Sequence, residues 1–157
     1  MLDLQFSKPT EEDILFIADN MRDSDVAEVL AAGSASPLRS LTDGVNVSDA
    51  CVVAKYEGVP MVIFGLRKLT ILGDTGVIWM LGTNQSRICR REFTIYTRRV
   101  IEEMLGECSL LYNYVHSKNL VSVRWLRVLG FTIEDPREYG PHGELFHKFY
   151  IRKKAHV

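Results

Sequence analysis

Apolar positions along the chain switch between a two-residue repeat and a helical repeat, and this switching predicts its elements. Leu2 to Ser7 alternates apolar and polar side chains, which is typical of a half-buried strand. Thr10 and Asp13 resemble a capping box with Asp in place of Glu, so a helix is predicted to start after Thr10. The apolar face of this helix consists of Ile14, Leu15, Ile17 and Ala18.

Two short helices and three strands are predicted next. The helices run from Ser24 to Ala32, where Gly33 ends the first of them, and from Pro37 to near Gly44. The strands cover residues 50–56, 59–66 and 76–81. A Glu57-Gly58 turn separates the first two strands, which predicts a hairpin. The third strand is apolar on both faces, as is usual for a strand at the centre of a sheet.

The second half of the chain alternates helices and strands. A long helix is predicted over residues 86–105, a strand over 110–115, and another helix from its N-cap Asn119 to Leu129. Strands over 131–138 and 145–151 complete the pattern. A strand–helix–strand step implies a parallel crossover. The sequence therefore predicts one α/β domain, residues 1–157, with a mixed central sheet of six or seven strands flanked by helices.

Composition narrows the functional classes. The chain has 19 basic and 20 acidic residues and a net charge of −1, which argues against general nucleic-acid binding. Its cysteines, Cys51, Cys89 and Cys108, form neither a disulfide framework nor a cluster with zinc spacing, so no metal site is predicted. Free buried thiols indicate a reducing compartment, and the N-terminus does not resemble a signal peptide. No apolar run is long enough to span a membrane, so we expect a cytoplasmic protein.

The segment from Asn113 to Phe131, N-Y-V-H-S-K-N-L-V-S-V-R-W-L-R-V-L-G-F, resembles the closing motif of the GCN5-related N-acetyltransferases. In that family a strand leads to an asparagine-capped helix, and the helix ends in a leucine-glycine-phenylalanine turn. The order of elements matches the same family over nearly the whole chain. The resemblance implies the mixed sheet of that fold, acetyl-CoA as cofactor, and transfer of an acetyl group to an amine of unknown identity.

The resemblance also implies where the coenzyme lies. Backbone groups of Met80, Leu81 and Gly82 would pair with its pantetheine arm. Its pyrophosphate would lie at the start of the long helix, near Ser86, Arg87 and Arg90, and Asn119 is a further candidate cofactor-binding residue. The loop departs from the family pattern because it has no glycine after Gly82. The same residues are equally consistent with a core strand and an ordinary capped helix with a solvated basic face.

Proton handling is where the chain departs most from the family. Many members have a tyrosine four residues before the glycine of the closing turn, and this chain has Leu126 there. The substitutes that we consider are Tyr114 and His116, which are able to donate or accept a proton, and Glu28 as a base. Glu28 shares a helix face with Asp25, and this acidic pair either holds a cationic acceptor or is simply a solvated face.

A narrower resemblance suggests an alternative function. The segment MRDSDVAEVLAAG, residues 21–33, together with residues 113–131, is similar to acetyltransferase-like proteins of short-tailed bacteriophages, some of which are internal virion proteins. It implies a catalytically degenerate phage or prophage protein with a structural or protein-binding role, located in the host cytoplasm or the virion. The expected partners are therefore coenzyme A with an amine or protein acceptor, or else a second copy of the chain or a virion component.

Overall fold

The structure is a computed structural model that describes residues 3–69, 74–87 and 89–154, and over these residues eight strands form one mixed sheet. The strands are β1 Leu4–Ser7, β2 Ala50–Tyr56, β3 Val59–Lys68, β4 Thr75–Gly82, β5 Leu110–His116, β6 Thr132–Ile133, β7 Arg137–Tyr139 and β8 Glu144–Arg152. They are arranged in the order β1-β2-β3-β4-β5-β8-β6, and β7 also pairs with β8. Only the β4–β5 pair is parallel, so the predicted crossover and the α/β class are confirmed.

Within the described residues, five α-helices flank this sheet: α1 Glu11–Asp19, α2 Asp23–Ala31, α3 Pro37–Val47, α4 Arg90–Glu107 and α5 Leu120–Leu129. Two predicted caps are confirmed. Thr10 and Asp13 form a reciprocal capping box at α1, with the two backbone-to-side-chain bonds at 3.0 and 3.2 Å. At α5, the Asn119 side chain accepts from the backbone N–H of Ser122, and Gly130 ends the helix in the left-handed conformation.

Three predicted boundaries differ from the structure. The long helix starts at Arg90 rather than Ser86, because two hydrogen bonds stabilise a 3₁₀ turn over Asn84–Arg87: the Gln85 N–H donates to Thr83 Oγ1, and the Ser86 hydroxyl donates to the Thr83 carbonyl. The predicted strand 131–138 is split into β6 and β7, since Pro136 has no N–H to continue the ladder, and this split gives eight strands instead of seven. The first strand starts at Leu4, and Leu2 lies outside the described residues.

Helices α1, α2 and α3 cover one face of the sheet, where Ile17, Val29 and Leu41 pack on Val53, Ile63 and Leu81. Helices α4 and α5 cover the opposite face, where Ile101, Val123 and Leu126 pack with Leu66 and Leu111. Apolar residues of both faces are thus removed from water, which supplies the main driving force for folding. Among the described residues, no helix is both long and apolar enough to cross a membrane.

Trp79 explains why α3 continues past the predicted stop at Gly44. Its indole lies under α3, and a Cβ at Gly44 would come within 3.0 Å of the ring. Gly65, directly opposite Trp79 on β3, leaves room for the indole from the other side. The indole N–H donates to Ser48 Oγ at 2.7 Å. Gly44 therefore makes room for a partly buried aromatic ring rather than ending a helix.

Candidate functional site

β4 and β5 separate part-way along their length. Their parallel register covers only Thr75–Val77 with Leu110–Tyr112, although β4 continues to Gly82 and β5 to His116. A cleft of about 530 Å³ opens where they diverge, and residues from both faces of the sheet line it. A cleft at the carboxyl ends of parallel strands is a common position for a ligand site in α/β proteins.

Asn113 lies where the two strands part. Its side-chain N–H₂ donates to the backbone carbonyl of Ile78 on β4, and its side-chain oxygen accepts from the backbone N–H of Tyr114 at 2.7 Å. The carboxamide thus connects a carbonyl of one strand to an N–H of the other. The strands stay apart at this point while both backbone groups remain hydrogen-bonded.

Helix α2 closes the far end of the cleft through its acidic pair. Asp25 Oδ2 accepts from the Gly82 backbone N–H at 3.0 Å and from the Arg22 guanidinium at 3.1 and 2.8 Å. Glu28 Oε1 accepts from the His116 backbone N–H at 2.7 Å. Each carboxylate therefore binds the last residue of one of the two separating strands. The predicted shared face exists, but a solvated face is wrong for Asp25, which is 2% exposed.

The two carboxylates have different surroundings. Asp25 forms an ion pair with Arg22, whereas Glu28 contacts only neutral donors, the His116 N–H and the Asn119 side-chain amide at 3.5 Å. Burial raises the pKa of Glu28 to about 7, and the nearby Asp25 charge also raises it against the lowering effect of the His116 hydrogen bond. Glu28 lines the cleft, so it is placed to exchange a proton with a ligand near neutral pH.

Aromatic and polar residues from β5 and the β7–β8 hairpin form another wall of the cleft, next to α2. Tyr114 and Tyr139 both line the cleft and stack with their ring centroids 4.1 Å apart. Burial raises the pKa of Tyr139, and the neighbouring tyrosines add to this effect. His116 is buried and does not line the cleft; its Nε2 lies 3.0 Å from Glu144 Oε1. Of the two predicted proton donors, only Tyr114 reaches the cleft directly.

Only some of the residues expected to pair with a coenzyme line the cleft. Met80 and Leu81 line the cleft. Gly82 does not, and both of its backbone groups are already engaged, the N–H by Asp25 and the carbonyl by the Arg22 N–H at 2.9 Å. Asn119 caps α5 and contacts Glu28 without lining the cleft. Both backbone groups of Gly82 are thus hydrogen-bonded to Asp25 and Arg22 in the structure, and its contact with a coenzyme remains a prediction.

The residues expected to bind phosphate lie together at the start of α4. Ser86 donates to the Thr83 carbonyl, and Arg87 and Arg90 are exposed. In the described residues neither arginine is ion-paired, and no side chain caps the first turn of α4. Uncapped amides at a helix N-terminus, together with basic side chains, favour an anion. Their role in binding a coenzyme remains a prediction.

The part of the cleft between α4 and α5 is apolar. Leu126, at the position where the family tyrosine is expected, is 8% exposed and contributes no hydroxyl group. Its neighbour Trp125 stacks on Phe93 at 5.7 Å and donates from its indole N–H to Thr94 Oγ1 at 2.9 Å. The two helices are thus joined beside the cleft, and Leu126 gives this side of the cleft no counterpart of the family tyrosine.

Sequence reasoning missed several residues that shape this site, namely Arg22, Asn113, Tyr139 and Glu144. One of them carried a signal, because Asn113 is the single polar amide in an otherwise apolar and aromatic strand, L-L-Y-N-Y-V. Asparagine is depleted in strands, so it indicated a special environment. Tyr139 and Glu144 lie in a hairpin whose return onto α2 depends on tertiary packing, and no local pattern reveals that contact.

No protein-family model matches the sequence, and no curated protein matches it significantly. Solved structures do match. A GNAT-family acetyltransferase from Bacillus anthracis has a TM-score of 0.69 and 13% identity over 97% of this chain and 98% of that chain. A spermidine N-acetyltransferase from Vibrio cholerae, in complex with CoA and spermine, has a TM-score of 0.69 and 14% identity over 95% of each chain.

A ribosomal-protein-alanine N-acetyltransferase from Brucella melitensis has a TM-score of 0.69 and 15% identity, covering 95% of this chain and 99% of that chain. Identities this low show a shared fold and leave the activity and the narrower phage resemblance as predictions. The architecture predicted from the Asn113–Phe131 motif and the element order is therefore confirmed. The chain has the fold of the GCN5-related N-acetyltransferases.

Proposed function

We propose that the protein binds acetyl-CoA in the cleft between β4 and β5 and transfers the acetyl group to an amine. The observation that carries this proposal is the divergence of two parallel strands beyond Val77 and Tyr112, in a fold whose Vibrio cholerae counterpart was solved with CoA. The cleft is also large enough for the arm of such a ligand, since sites for small molecules typically have about 300–1,000 Å³.

The residues that fit the coenzyme lie at two places. Met80 and Leu81 line the cleft, and Met80 offers its backbone groups on β4 to an extended chain. Arg87 and Arg90, with Ser86, would hold phosphate at the uncapped start of α4. The coenzyme supplies the acetyl thioester, which is the group to be transferred. The remaining chemistry falls to side chains at the opposite end of the cleft.

Glu28 is the proposed proton acceptor and Tyr114 the proposed proton donor. The amine nitrogen forms a bond to the acetyl carbon while the carbon–sulfur bond breaks. The proton lost by the nitrogen goes to Glu28, and the departing thiolate takes the Tyr114 hydroxyl proton. A carboxyl with a pKa of about 7 suits the first task. His116 acts as a positioning residue, because it reaches Glu28 through its backbone N–H.

The acceptor half of the cleft favours a cationic amine. Trp79, Tyr114 and Tyr139 supply aromatic rings there, and Glu28 supplies a carboxylate. Aromatic faces and carboxylates both attract an ammonium group before it loses its proton. Assays with small-molecule amines and with protein N-termini would identify the acceptor.

Thermal melting with acetyl-CoA tests this proposal. A ligand at about one hundred times its dissociation constant stabilises the folded state by about 2.7 kcal/mol, which gives a clear shift in Tm. Arg87→Ala and Arg90→Ala are expected to reduce the shift. Arg99→Ala is the matched control, because Arg99 is an exposed arginine further along α4. The absence of any shift at millimolar coenzyme would contradict the proposal.

A second candidate is a catalytically degenerate phage or prophage protein, virion-associated or protein-binding. Two observations favour it: the apolar Leu126 provides no proton donor, and α2 already occupies the backbone groups of Gly82. Such a protein would bind coenzyme weakly or not at all, in the host cytoplasm or in a virion, as a monomer or homodimer. Binding of acetyl-CoA without transfer to any member of a panel of amines would support this function. Turnover of acetyl-CoA that requires an amine would exclude it.

A further inference from the structure

We propose that Asn113 is a spacer residue that fixes the inner end of the cleft and so limits the contact of a bound chain with β4 to Met80. The proposal concerns the same cleft as the proposed function, and it rests on that function where acetyl-CoA is the probe. Its structural half, the separation of the strands by Asn113, is independent of any ligand.

The register of the sheet shows what Asn113 replaces. Val77 lies opposite Tyr112 in the parallel ladder, and Gly76 lies opposite Leu111. In a parallel ladder of this register, the next bond would run from the Tyr114 N–H to the Ile78 carbonyl. These are the two groups that the Asn113 carboxamide binds, one at each end. A carboxamide has the same donor and acceptor as a peptide group, so it is inserted in place of one ladder bond.

The Asn113 carboxamide allows the sheet to open while the backbone groups on both sides of the opening stay hydrogen-bonded. Directly bonded strands lie about 4.8 Å apart. A gap wide enough for a ligand would leave a carbonyl on β4 and an N–H on β5 without hydrogen-bond partners. Leu111 and Val115, which share the strand face of Asn113, are both buried in the apolar core. The polar side chain of Asn113 is accommodated between them because its amide forms the hydrogen bonds that these two backbone groups would otherwise lack in the open cleft.

The far end of the gap is closed as well, which leaves a window of one residue. The groups of β4 that point toward β5 belong to alternate residues, as the bonds of Ile78 and Gly82 show. Asn113 occupies the carbonyl of Ile78, and Asp25 and Arg22 occupy the N–H and carbonyl of Gly82. Met80 lies between them, and its position in the repeat directs its N–H and carbonyl into the cleft. An extended chain with one amide fits this window, paired with β4 at a single residue.

Two substitutions test the spacer. Asn113→Val replaces the amide with a strand-forming side chain, and we expect the ladder to gain the direct bond from Tyr114 to Ile78. The KM for acetyl-CoA should then rise at least about tenfold, while the KM for the amine changes little. Thr97→Val is the matched control, because Thr97 also lines the cleft and its hydroxyl bonds only within α4. Unchanged acetyl-CoA binding in Asn113→Val would overturn the proposal.

Asn113→Asp is a second test, because low pH should restore acetyl-CoA binding to this variant only if the hydrogen bonds of the side chain hold the cleft open. A protonated carboxyl has one donor and one acceptor, like the amide, whereas a carboxylate cannot donate to the Ile78 carbonyl. Burial between the two strands should raise the pKa of the new carboxyl above its ordinary value of about 3.9. Relative to the native protein at each pH, acetyl-CoA binding by Asn113→Asp should therefore be weak at about pH 8 and recover as the pH falls to about 5 and below. A deficit that stays the same at both pH values would contradict the spacer role.

The proposal and the proposed function fail in different ways. If the native protein binds no acetyl-CoA, the proposed function fails, and the spacer is then judged by the structure of Asn113→Val alone. A β4–β5 register that extends to Ile78 and Tyr114 in that variant, with slower hydrogen exchange at the Tyr114 amide, supports the spacer. A register that still ends at Val77 and Tyr112 refutes it.

Discussion

Asp25 and Glu28 lie three residues apart on one helix, yet their carboxylates do different chemistry. The charge of Asp25 is balanced by the Arg22 guanidinium, at 2.8 Å. Glu28 has only neutral donors, so burial is not compensated and raises its pKa to about 7. A residue type and a spacing are therefore not enough to assign a role, because the partner of each carboxylate decides its proton affinity.

Glu28→Gln tests this proton affinity through the pH dependence of folding. The pKa of Glu28 is about 7 in the folded chain against an ordinary 4.5, so the folded state keeps a proton that the unfolded state loses. The free energy of unfolding should therefore fall as pH rises from 4.5 to about 7, and then level off. The Gln variant should lack this decline and be the more stable protein above pH 7. Urea unfolding across the pH range measures it.

The matched control is Glu102→Gln, which makes the same chemical change at an exposed position of α4. It should keep the decline seen in the native protein. The same Glu28→Gln protein should lose acetyl transfer by about a hundredfold or more if Glu28 is the base. A native pH profile for its stability would contradict the assigned pKa, whatever the effect on activity.

Asp25→Ala is expected to be among the most destabilising substitutions on α2. It removes the acceptor of both the Gly82 N–H and the Arg22 guanidinium, and the site is almost fully buried. Breaking a buried pair in this way typically costs about 3–5 kcal/mol. Asp43→Ala breaks the exposed Arg39–Asp43 pair and should change stability by less than about 1 kcal/mol. Chemical denaturation of both variants makes the comparison, and equal losses would contradict it.

Residue-level prediction from the sequence succeeded where chemistry is local. Thr10 with Asp13 and Asn119 were recognised as caps, since each bonds a backbone group within three residues. The bonds from Asn113 to Ile78 and from Asp25 to Gly82 join positions 35 and 57 residues apart, respectively. No repeat in the sequence encodes such distances, so the position of the cleft's two ends emerged only from the structure.

At the scale of elements, the β7–β8 hairpin depends on a close approach to the end of α2. Gly33 follows this helix with a φ of +100°, and a Cβ on it would lie 2.7 Å from Pro141 of the hairpin. The hairpin brings Tyr139 to the cleft and Glu144 to His116. Packing between Gly33 and Pro141 therefore positions one wall of the candidate site.

Gly33→Ala should push the hairpin away from α2 and lower both stability and acetyl transfer. Gly58→Ala is the matched control, because Gly58 also has a positive φ, of +79°, but its Cβ would meet no atom within 4 Å. The strain alone costs about 1 kcal/mol. We expect Gly33→Ala to cost more, and to weaken Tyr114–Tyr139 stacking as seen by near-ultraviolet circular dichroism. Equal costs for the two variants would show that the hairpin does not need the contact.

Whole elements were predicted better than their ends. Hydrophobic repeats fix the existence of α4 and β8, because each must bury one face or stripe. The start of α4 and the split at Pro136 depended on side-chain bonds and on a missing N–H, which a repeat does not report. The packing of the hairpin against α2 is a third feature that a repeat does not report, because it depends on the space that Gly33 leaves for Pro141 by having no Cβ.

At the scale of the whole molecule, the sheet is nearly divided in two. The strands β1 to β4 are all antiparallel neighbours, and among the described residues they are hydrogen-bonded to β5 through the short ladder of Thr75–Val77 and the Asn113 side chain. The apolar core crosses this junction, because Leu66 of β3 and Ile78 of β4 pack with Leu111 and Phe149. We therefore expect the two parts to unfold together.

The chain's two tryptophans test this cooperativity, since Trp79 lies under α3 and Trp125 lies on α5. Trp125→Phe leaves a fluorescent reporter of the first part, and Trp79→Phe leaves one of the second. In each variant the urea midpoint by fluorescence should equal the midpoint by circular dichroism. Different midpoints within one variant would show that the two parts unfold separately.

The burial of the Glu28 carboxyl has a thermodynamic consequence for any ligand that binds in the cleft. A cationic amine beside this carboxylate would stabilise its charged form, so binding below pH 7 would expel the proton that Glu28 holds. Apparent affinity for the amine would then increase toward neutral pH. The heat of binding would also vary with the ionisation enthalpy of the buffer. The slope of this dependence would give the number of protons released when the amine binds.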